Sequence, residues 1–186
     1  MNYADIKRID VANGPGVRVS LFVSGCTHHC KNCFNQVTWD FNYGEPFTEQ
    51  TIETILEYLK PEYIKGITIL GGEPLEPSNQ KGLLPLLKKI RETYPQKSIW
   101  CFTGYLFDQD VLGRMWDNVE ETKELFSYID VLVDGPFIEE KKSLGLRFRG
   151  SSNQRIIDMN KTRSCGEITI WEGCRLDKTF GNGENK

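Results

Sequence analysis

The chain has 186 residues, of which 39% are hydrophobic and 26% charged, and this is enough to bury the core of one globular domain. Its net charge of -3 argues against a general nucleic-acid binder, because attraction to phosphates requires a concentrated basic surface. No apolar run approaches the length of a membrane span and no hydrophobic signal segment precedes the cysteines, so we expect a soluble cytoplasmic protein with reduced thiols.

The N-terminal part predicts a turn, a strand and then a cysteine-rich loop. Residues 10–16 combine Asn-Gly and Pro-Gly pairs, which supply the backbone angles of tight turns. Residues 17–23 alternate at first and then become continuously apolar, as expected of a strand that is covered on both faces. Directly after this strand, Cys26, Cys30 and Cys33 place three thiols within eight residues.

The spacing Cys-x3-Cys-x2-Cys favours an iron–sulfur cluster with one open position. Three thiolates on a short loop can hold three irons of a cubane, whereas a cluster that only transfers electrons usually takes four cysteines. An open coordination position distinguishes a catalytic metal site from a closed structural one. The loop therefore predicts a cluster that binds a substrate.

The spacing alone leaves structural zinc as the main alternative. The only two histidines, His28 and His29, lie inside the loop, where neither can easily turn back to a metal that its neighbouring cysteines hold. A disulfide is less favoured, because the six cysteines do not follow a small secreted framework. A zinc-stabilised interaction module without catalysis thus remains open beside the cluster.

An aromatic segment and a helix are predicted next. Residues 35–46 are irregular, and we expect their aromatic side chains to pack as a lid over the thiols: Trp39, Phe41 and Tyr43. Thr48 is expected to cap a helix whose apolar residues recur at helical spacing up to Leu59 and which Pro61 ends.

A second informative motif, Gly71-Gly72-Glu73-Pro74, follows a strand predicted over residues 66–70. Two glycines let a ligand approach the backbone closely, and the glutamate supplies an acceptor for a cationic group. Taken by itself, the motif also fits a tight turn between a strand and a helix.

The rest of the chain repeats the same order of strand, turn and helix. A helix over residues 83–94 is expected to hold Pro85 in its first turn, and strands over 98–102 and 129–133 end in Thr103-Gly104 and Asp134-Gly135. This order predicts right-handed parallel βαβ units, in which ligands bind beyond the carboxyl ends of the strands. All four motifs at strand ends are therefore expected to converge on one ligand-binding opening. They are the cysteine loop, Gly71-Gly72-Glu73-Pro74, Thr103-Gly104 and Asp134-Gly135.

Other stretches carry weaker predictions. Cys101 is expected to be a small buried hydrophobe, and Cys165 and Cys174 a reduced pair rather than metal ligands. The arginine-rich stretch 147–155 fits either an anion or acidic-partner contact or a solvated loop. Residues 167–171 are expected to add one strand before a flexible tail.

These motifs, taken in order, resemble the radical S-adenosylmethionine superfamily and, within it, the activating proteins of anaerobic ribonucleotide reductases. The likeness covers about residues 1–158, so we expect a radical SAM core domain there and a C-terminal extension over residues 159–186. It rests on the cysteine spacing, the Gly-Gly-Glu-Pro motif and Asn13-Gly14-Pro15-Gly16-Val17-Arg18, Ser24-Gly25-Cys26, Thr103-Gly104-Tyr105, Val133-Asp134-Gly135 and Arg149-Gly150-Ser151-Ser152-Asn153-Gln154.

The resemblance implies an α/β fold, a small incomplete (βα) barrel with mostly parallel strands. It implies a 4Fe-4S cluster held by the three cysteines and S-adenosyl-L-methionine bound at the open iron. Asn32 stands beside the adenine position, where the superfamily commonly carries an aromatic residue. The other residues implied to contact the ligand are Gly71, Gly72, Glu73, Thr103 and Asp134.

The resemblance further implies reductive cleavage of S-adenosylmethionine and a 5'-deoxyadenosyl radical that takes a hydrogen atom from a glycine. That glycine would lie in the large catalytic subunit of anaerobic ribonucleotide reductase, with reduced flavodoxin or ferredoxin as electron donor and no nucleic acid or membrane as partner. Arg18 and residues 147–155 are expected to flank the entrance for the partner. An activase of another glycyl-radical enzyme, of the formate-lyase type, is the alternative within enzymes.

Overall fold

Seven strands form one mixed sheet in the computed structural model, which describes residues 1–174. In the order β3-β1-β2-β4-β5-β6-β7, the central strands β2, β4, β5 and β6 run parallel, and the outer pairings are antiparallel. The strands are β1 (Asn2–Asp10), β2 (Val17–Val23), β3 (Glu45–Pro46), β4 (Ile64–Gly71), β5 (Ser98–Phe102), β6 (Val131–Asp134) and β7 (Arg155–Asp158).

The α/β class and the parallel centre agree with the sequence-based expectation, whereas the antiparallel edges do not follow from it. The strand at residues 2–10 was not expected, because polar and charged residues interrupt it and its apolar residues do not alternate regularly. Pairing with β2 fixes this segment as a strand. The last pairing, β6 with β7, turns the chain back across the sheet and brings Arg155 opposite Asp134.

Within residues 1–174, three α-helices and a π-helical segment connect the strands, and a fourth α-helix follows the last strand. They are α1 (Glu49–Leu59), α2 (Pro77–Thr93), the π-helical segment (Phe107–Met115), α3 (Thr122–Tyr128) and α4 (Met159–Cys165). Thr48 caps α1 as predicted, in a reciprocal capping box with Thr51. No helix within residues 1–174 is long and apolar enough to cross a membrane.

Helix α2 corrects one prediction. It begins at Pro77, so Pro85 lies in the helix interior rather than in the first turn. Proline suits the first helical position because its missing N–H needs no partner there, and Pro77 takes that role. At Pro85 the helix forgoes one backbone hydrogen bond, while the buried residues on either side, Leu83 and Leu86, keep it packed on the sheet.

The chain after β7 also differs from the prediction. Residues 159–165 form α4, which the polar composition did not indicate. The predicted strand over 167–171 is reduced to a single bridge between Ile170 and Ile157. The predicted tail lies outside the described residues from position 175 onward, and the division into 1–158 and 159–186 stays a prediction.

The two faces of the sheet have different surroundings. Along the parallel strands, alternate side chains pack against the helices in the main core, including Val19, Leu21, Ile67, Ile69, Ile99 and Leu132. The intervening side chains point to the opposite face, because strand side chains alternate. There, Trp100, Val131, Val133 and Ile156 form a smaller core, and Phe22, Leu70 and Phe102 line a cavity.

Arg18 lies on this second face and is almost completely buried, at 1% exposure. It donates hydrogen bonds to the Thr68 hydroxyl, the Ser98 hydroxyl and the carbonyls of Ile67 and Ser98, and its guanidinium lies 5.5 Å from the Trp100 ring centroid. Burial lowers the pKa of Arg18 to about 10. The expectation that Arg18 flanks a partner entrance was therefore wrong, because this side chain joins β2, β4 and β5 from inside.

We predict that Arg18→Met lowers the free energy of unfolding by about 3 kcal/mol, because several buried acceptors lose their donors. Urea unfolding followed by circular dichroism measures the change. Lys88→Met, on the exposed side of α2, is the control and should change stability by no more than about 0.5 kcal/mol. Equal stability of the two variants would contradict the assigned role of Arg18.

Candidate active site

The loops after β2, β4 and β5 meet around one cavity of about 350 Å³ at the carboxyl ends of these parallel strands. The structure brings together most residues that the sequence motifs singled out, because strands that run parallel end at the same edge of a sheet. Those that line the cavity are Cys26, Cys30, Cys33, Gly71, Gly72, Glu73 and Thr103. Asn32 and Asp134 are not part of its lining.

The cysteine loop is fastened to the segment that follows it. The Gly25 N–H donates to the Thr38 carbonyl at 2.8 Å, and the Cys26 N–H donates to the Trp39 carbonyl at 3.3 Å. Of the aromatic residues expected to cover the thiols, Trp39 lines the cavity, whereas Phe41 packs against Gly25 outside the lining. The predicted lid is thus limited to Trp39.

Asn32 occupies an outward-facing turn within this loop. Its φ of 58° lies in the left-handed region, which asparagine tolerates better than most residues. The turn places the flanking Cys33 in the cavity wall and leaves Asn32 itself exposed. This position differs from the expectation that Asn32 borders a ligand.

Glu73 is the most densely bonded side chain of the site. Its carboxylate is 1% exposed and accepts four hydrogen bonds, each at 2.8 Å. The donors come from three different loops: the His28 ring, the Leu75 N–H, the Thr103 hydroxyl and the Gly104 N–H. Since a carboxylate offers about four acceptor sites, Glu73 is saturated by the protein and holds the loops together.

The Glu73 carboxylate changes the pKa of His28. Burial alone would lower the pKa of His28, but the hydrogen bond and the negative charge of Glu73 outweigh burial and raise that pKa. The His28 ring also packs against Tyr105, with centroids 4.3 Å apart. His29 instead packs on Trp39, at 4.6 Å between centroids. Both histidines of the cysteine loop are therefore engaged with other groups.

Glu76 is a second buried carboxylate that the sequence motifs did not single out. It accepts hydrogen bonds from the Thr27 N–H at 3.0 Å and from the Thr27 hydroxyl at 2.5 Å. The Asn79 side-chain amide reaches the Ser24 and Glu73 carbonyls, each at 2.9 Å. These residues follow Glu73 at three-residue spacing at the start of α2, and that spacing is the signal that points to them.

The two glycines of the motif are required by the protein's own backbone. Gly71 has a φ of 108°, and a Cβ there would lie 2.7 Å from the Val23 backbone. A Cβ at Gly72 would lie 2.6 Å from the Gly25 carbonyl oxygen. The sequence suggested close approach of a ligand, and the structure shows that β2 lies close to Gly71 and the start of the cysteine loop lies close to Gly72.

Asp134 points away from the cavity. It is completely buried, and its oxygens accept from the Arg155 guanidinium and from the Phe107 N–H. Alternation along β6 explains this, because Val131 and Val133 belong to the inner face and Asp134 therefore shares the helix face with Leu132. The hydrogen bonds with Arg155 raise the pKa of that guanidinium above its already high value.

The loop after β6, residues 135–154, forms a second wall of the cavity and includes the Arg149–Gln154 motif. The Gln154 side chain accepts from the N–H groups of Gly150 and Ser151 and donates to the Gly135 carbonyl at 3.0 Å. Asn153 donates to the Pro136 carbonyl at 2.8 Å. Polar side chains of the motif thus hold the loop after β6 in place, and Gly150 and Gln154 line the cavity.

Contacts between the two walls form the rim of the cavity. Phe34 lies 5.8 Å from Phe137 between ring centroids, although Phe34 is 77% exposed. The Lys142 ammonium lies 4.8 Å from the Phe34 ring centroid, and Lys31 pairs with Glu140 at 3.4 Å. Such exposed contacts contribute little stability, so the rim is the part of the site that can open most easily.

The chemistry of the donor set fits an iron–sulfur cluster. Burial raises the pKa of Cys26 to about 11, reinforced by the neighbouring Glu73 and Cys30, and burial also raises that of Cys30. Thiolates are the form that binds iron. A cationic centre would therefore offset the cost of burying the thiolates and the repulsion between the negative groups, and its binding would release the thiol protons. Within residues 1–174, no three His, Cys, Asp or Glu side chains are gathered closely enough for one metal ion.

The remaining cysteines lie outside this cavity. Cys101 is 1% exposed in β5, as predicted for a small buried hydrophobe. Cys165 is exposed at the end of α4, where its thiol contacts the Glu167 carbonyl. The Cys174 side chain lies outside the described part of the chain, so the expectation that Cys165 and Cys174 are both reduced thiols rather than metal ligands stays a prediction.

A family model described as a 4Fe-4S single cluster domain matches residues 12–157. The matched range starts before β2 and ends within β7, so it includes the cysteine loop and every parallel strand. Fold and site together therefore define the class of protein as a single 4Fe-4S cluster domain.

Proteins of similar sequence identify the family within this class. Anaerobic ribonucleoside-triphosphate reductase-activating proteins are 44% identical in Vibrio cholerae, 42% in Escherichia coli K12 and 38% in Enterobacteria phage T4. The alignments cover 84%, 83% and 84% of this chain and 97%, 96% and 93% of the respective relatives. The chain belongs to the family of anaerobic ribonucleoside-triphosphate reductase-activating proteins.

We predict that Glu73→Gln destabilises the protein by about 3 kcal/mol, because an amide cannot accept all four hydrogen bonds and leaves buried donors unpaired. Urea unfolding measures the loss. Glu140→Gln on the exposed rim is the matched control, with an expected loss below about 1 kcal/mol. A Glu73→Gln variant as stable as this control would show that the carboxylate does not hold the loops together.

Proposed function

We propose that this chain activates an anaerobic ribonucleoside-triphosphate reductase by generating a glycyl radical on the large catalytic subunit. The observation that carries the proposal is the meeting of three thiols with the Gly71-Gly72-Glu73 turn in one cavity. The names of the relatives support the same activity. No observation favours activation of a formate-lyase-type enzyme or a zinc module.

In this proposal, Cys26, Cys30 and Cys33 hold a 4Fe-4S cluster, and S-adenosyl-L-methionine binds at its open iron. When bound, this pair supplies the one-electron chemistry that breaks a carbon–sulfur bond and removes a hydrogen atom from glycine. The side chains of Phe22, Leu70 and Phe102 form an apolar wall of the cavity and keep water from the reacting groups.

Glu73 can accept a hydrogen bond from the ligand's ammonium only by exchanging one of its present donors. Leu75 and Gly104 donate from the backbone, and Thr103 is a buried short side chain. His28 is the half-buried donor, with 19% of its side chain exposed. We therefore propose that the ligand's ammonium takes the place of His28, while Thr103 keeps the carboxylate in position.

We also propose that the sheet is the incomplete (βα) barrel of the radical SAM type, with a core domain over residues 1–158. The support is the parallel order of β2, β4, β5 and β6, helices packed on one face and the cavity on the other. We propose reduced flavodoxin or ferredoxin as the electron donor and the cytoplasm as the compartment, by analogy with the resemblance described above.

The charge of the rim supports entry of a partner segment. The two loops that form it, residues 26–38 and 135–154, carry five basic residues and two acidic ones, in a chain with 23 basic and 26 acidic residues. The basic ones are Lys31, Lys141, Lys142, Arg147 and Arg149. Such a local excess attracts acidic surfaces to an otherwise acidic protein. We propose that acidic side chains flank the glycine of the partner.

We predict that Cys30→Ala purified without oxygen holds less iron and sulfide, gives no reduced cubane signal that changes on adding S-adenosylmethionine, and cleaves none of it. The thiol that binds one iron is missing, and three ligands are the minimum expected for this cluster. Iron analysis and electron paramagnetic resonance measure these losses. Cys165→Ala, an exposed thiol outside the cavity, should match wild type. Full iron content and activity in Cys30→Ala would refute the proposal.

We predict that the double variant Lys141→Glu with Lys142→Glu binds the reductase large subunit about tenfold more weakly and loses part of the salt dependence of association. The control is Lys88→Glu with Lys89→Glu, an adjacent lysine pair on α2. Each pair includes one surface ion pair, Lys142 with Glu139 and Lys89 with Glu49. Equal affinities of the two double variants across a salt series would show that the rim charge does not guide the partner.

A further inference from the structure

Trp39 carries a buried hydrogen-bond donor that no group in the described part of the chain satisfies. Four buried side-chain atoms within residues 1–174 lack a partner, and they belong to Ser24, Trp39, Asn79 and Asn153. Of these four residues, only Trp39 lines the cavity. An unpaired buried donor costs about 1–3 kcal/mol, and folded proteins leave few of them.

The indole is held firmly beside the thiols. The Trp39 carbonyl accepts from the Cys26 N–H, and the preceding Thr38, which is 1% exposed, accepts from the Gly25 N–H. The indole ring packs on His29 with an angle of 68° between the ring planes. Contacts on both the backbone and the ring therefore hold the Trp39 side chain in place at the cavity wall before any ligand enters.

The chemistry of the donor limits its partner. An indole N–H donates and cannot accept, and hydrogen bonds to charged acceptors are the stronger ones. Glu73, the carboxylate in the cavity lining, already accepts four hydrogen bonds. A group that binds in the cavity beside Trp39 could supply the acceptor that the described residues lack.

We infer that the Trp39 indole N–H donates a hydrogen bond to an anionic acceptor held in the cavity. The inference rests on the proposed function, which brings two such acceptors to the thiols: a sulfur of the cluster and the carboxylate of S-adenosyl-L-methionine. A bond to cluster sulfur favours the reduced, more negative state and raises the reduction potential. A bond to the carboxylate instead strengthens ligand binding.

Trp39→Phe tests the inference because it keeps an aromatic ring and removes the N–H donor, and the loss of ring volume is matched in the control. The control is Trp116→Phe, which removes an indole that packs on Phe126 among the outer helices. Both variants are purified without oxygen and reconstituted. The reduction potential of the cluster is measured without ligand, and the dissociation constant of S-adenosyl-L-methionine is then measured by calorimetry.

Loss of the bond should change one of these two quantities by about tenfold in the underlying equilibrium, which for a one-electron couple is about 59 mV. A lower potential with unchanged affinity identifies cluster sulfur as the acceptor. A weaker affinity with unchanged potential identifies the ligand carboxylate. If both quantities match those of Trp116→Phe, the inference is overturned. Wild-type protein that takes up no cluster would instead refute the proposed function.

A second measurement applies if Trp39→Phe does not fold or take up iron. The ultraviolet Raman spectrum of tryptophan contains a band that reports hydrogen bonding of the indole N–H. Wild-type protein is compared before reconstitution, after it, and with S-adenosyl-L-methionine added. A difference spectrum showing a newly bonded indole supports the inference, and identical spectra in all three states overturn it.

Discussion

The buried carboxylate of Glu73 is the interaction on which the rest of the site depends. It joins donors from the cysteine loop, from the start of α2 and from the turn after β5. A buried charge must be fully hydrogen-bonded, and in low dielectric such a network is stronger than the same bonds in water. Together with further hydrogen bonds between these segments, the Glu73 carboxylate holds three loops around one cavity. Glu76 repeats the arrangement one turn later, through Thr27.

The division of the sheet into two faces determines where chemistry can take place. Helices cover one face, so this face is a conventional apolar core. The other face has Arg18 and its hydroxyl partners at the amino ends of the strands and aromatic side chains towards the carboxyl ends. Polar side chains therefore close this face at the amino ends of the strands, and the three thiols lie at the carboxyl ends. The rim above them is held by exposed contacts of Phe34, which suits an entrance for a partner.

Local patterns in the sequence were sufficient for several elements. The capping Thr48, the strand at 98–102 and burial of Cys101 depend on neighbouring residues or on composition, and each is observed as expected. Arg18 and Asp134 were misplaced because both are polar residues near a strand end, and such residues are usually exposed or functional. Their surroundings are set by strands distant in sequence, which supply buried partners for them.

The sequence by itself determined the class of the protein, the three thiols and the convergence of strand-end loops, because residue spacing and strand direction are local properties that parallel topology translates into position. Only the tertiary structure decided which side chains reach the cavity. A one-residue step along a strand reverses the face of a side chain, and acceptors for buried donors come from distant segments. The Glu73 carboxylate thus accepts four hydrogen bonds from distant and neighbouring segments, and the Trp39 indole N–H has no acceptor within residues 1–174.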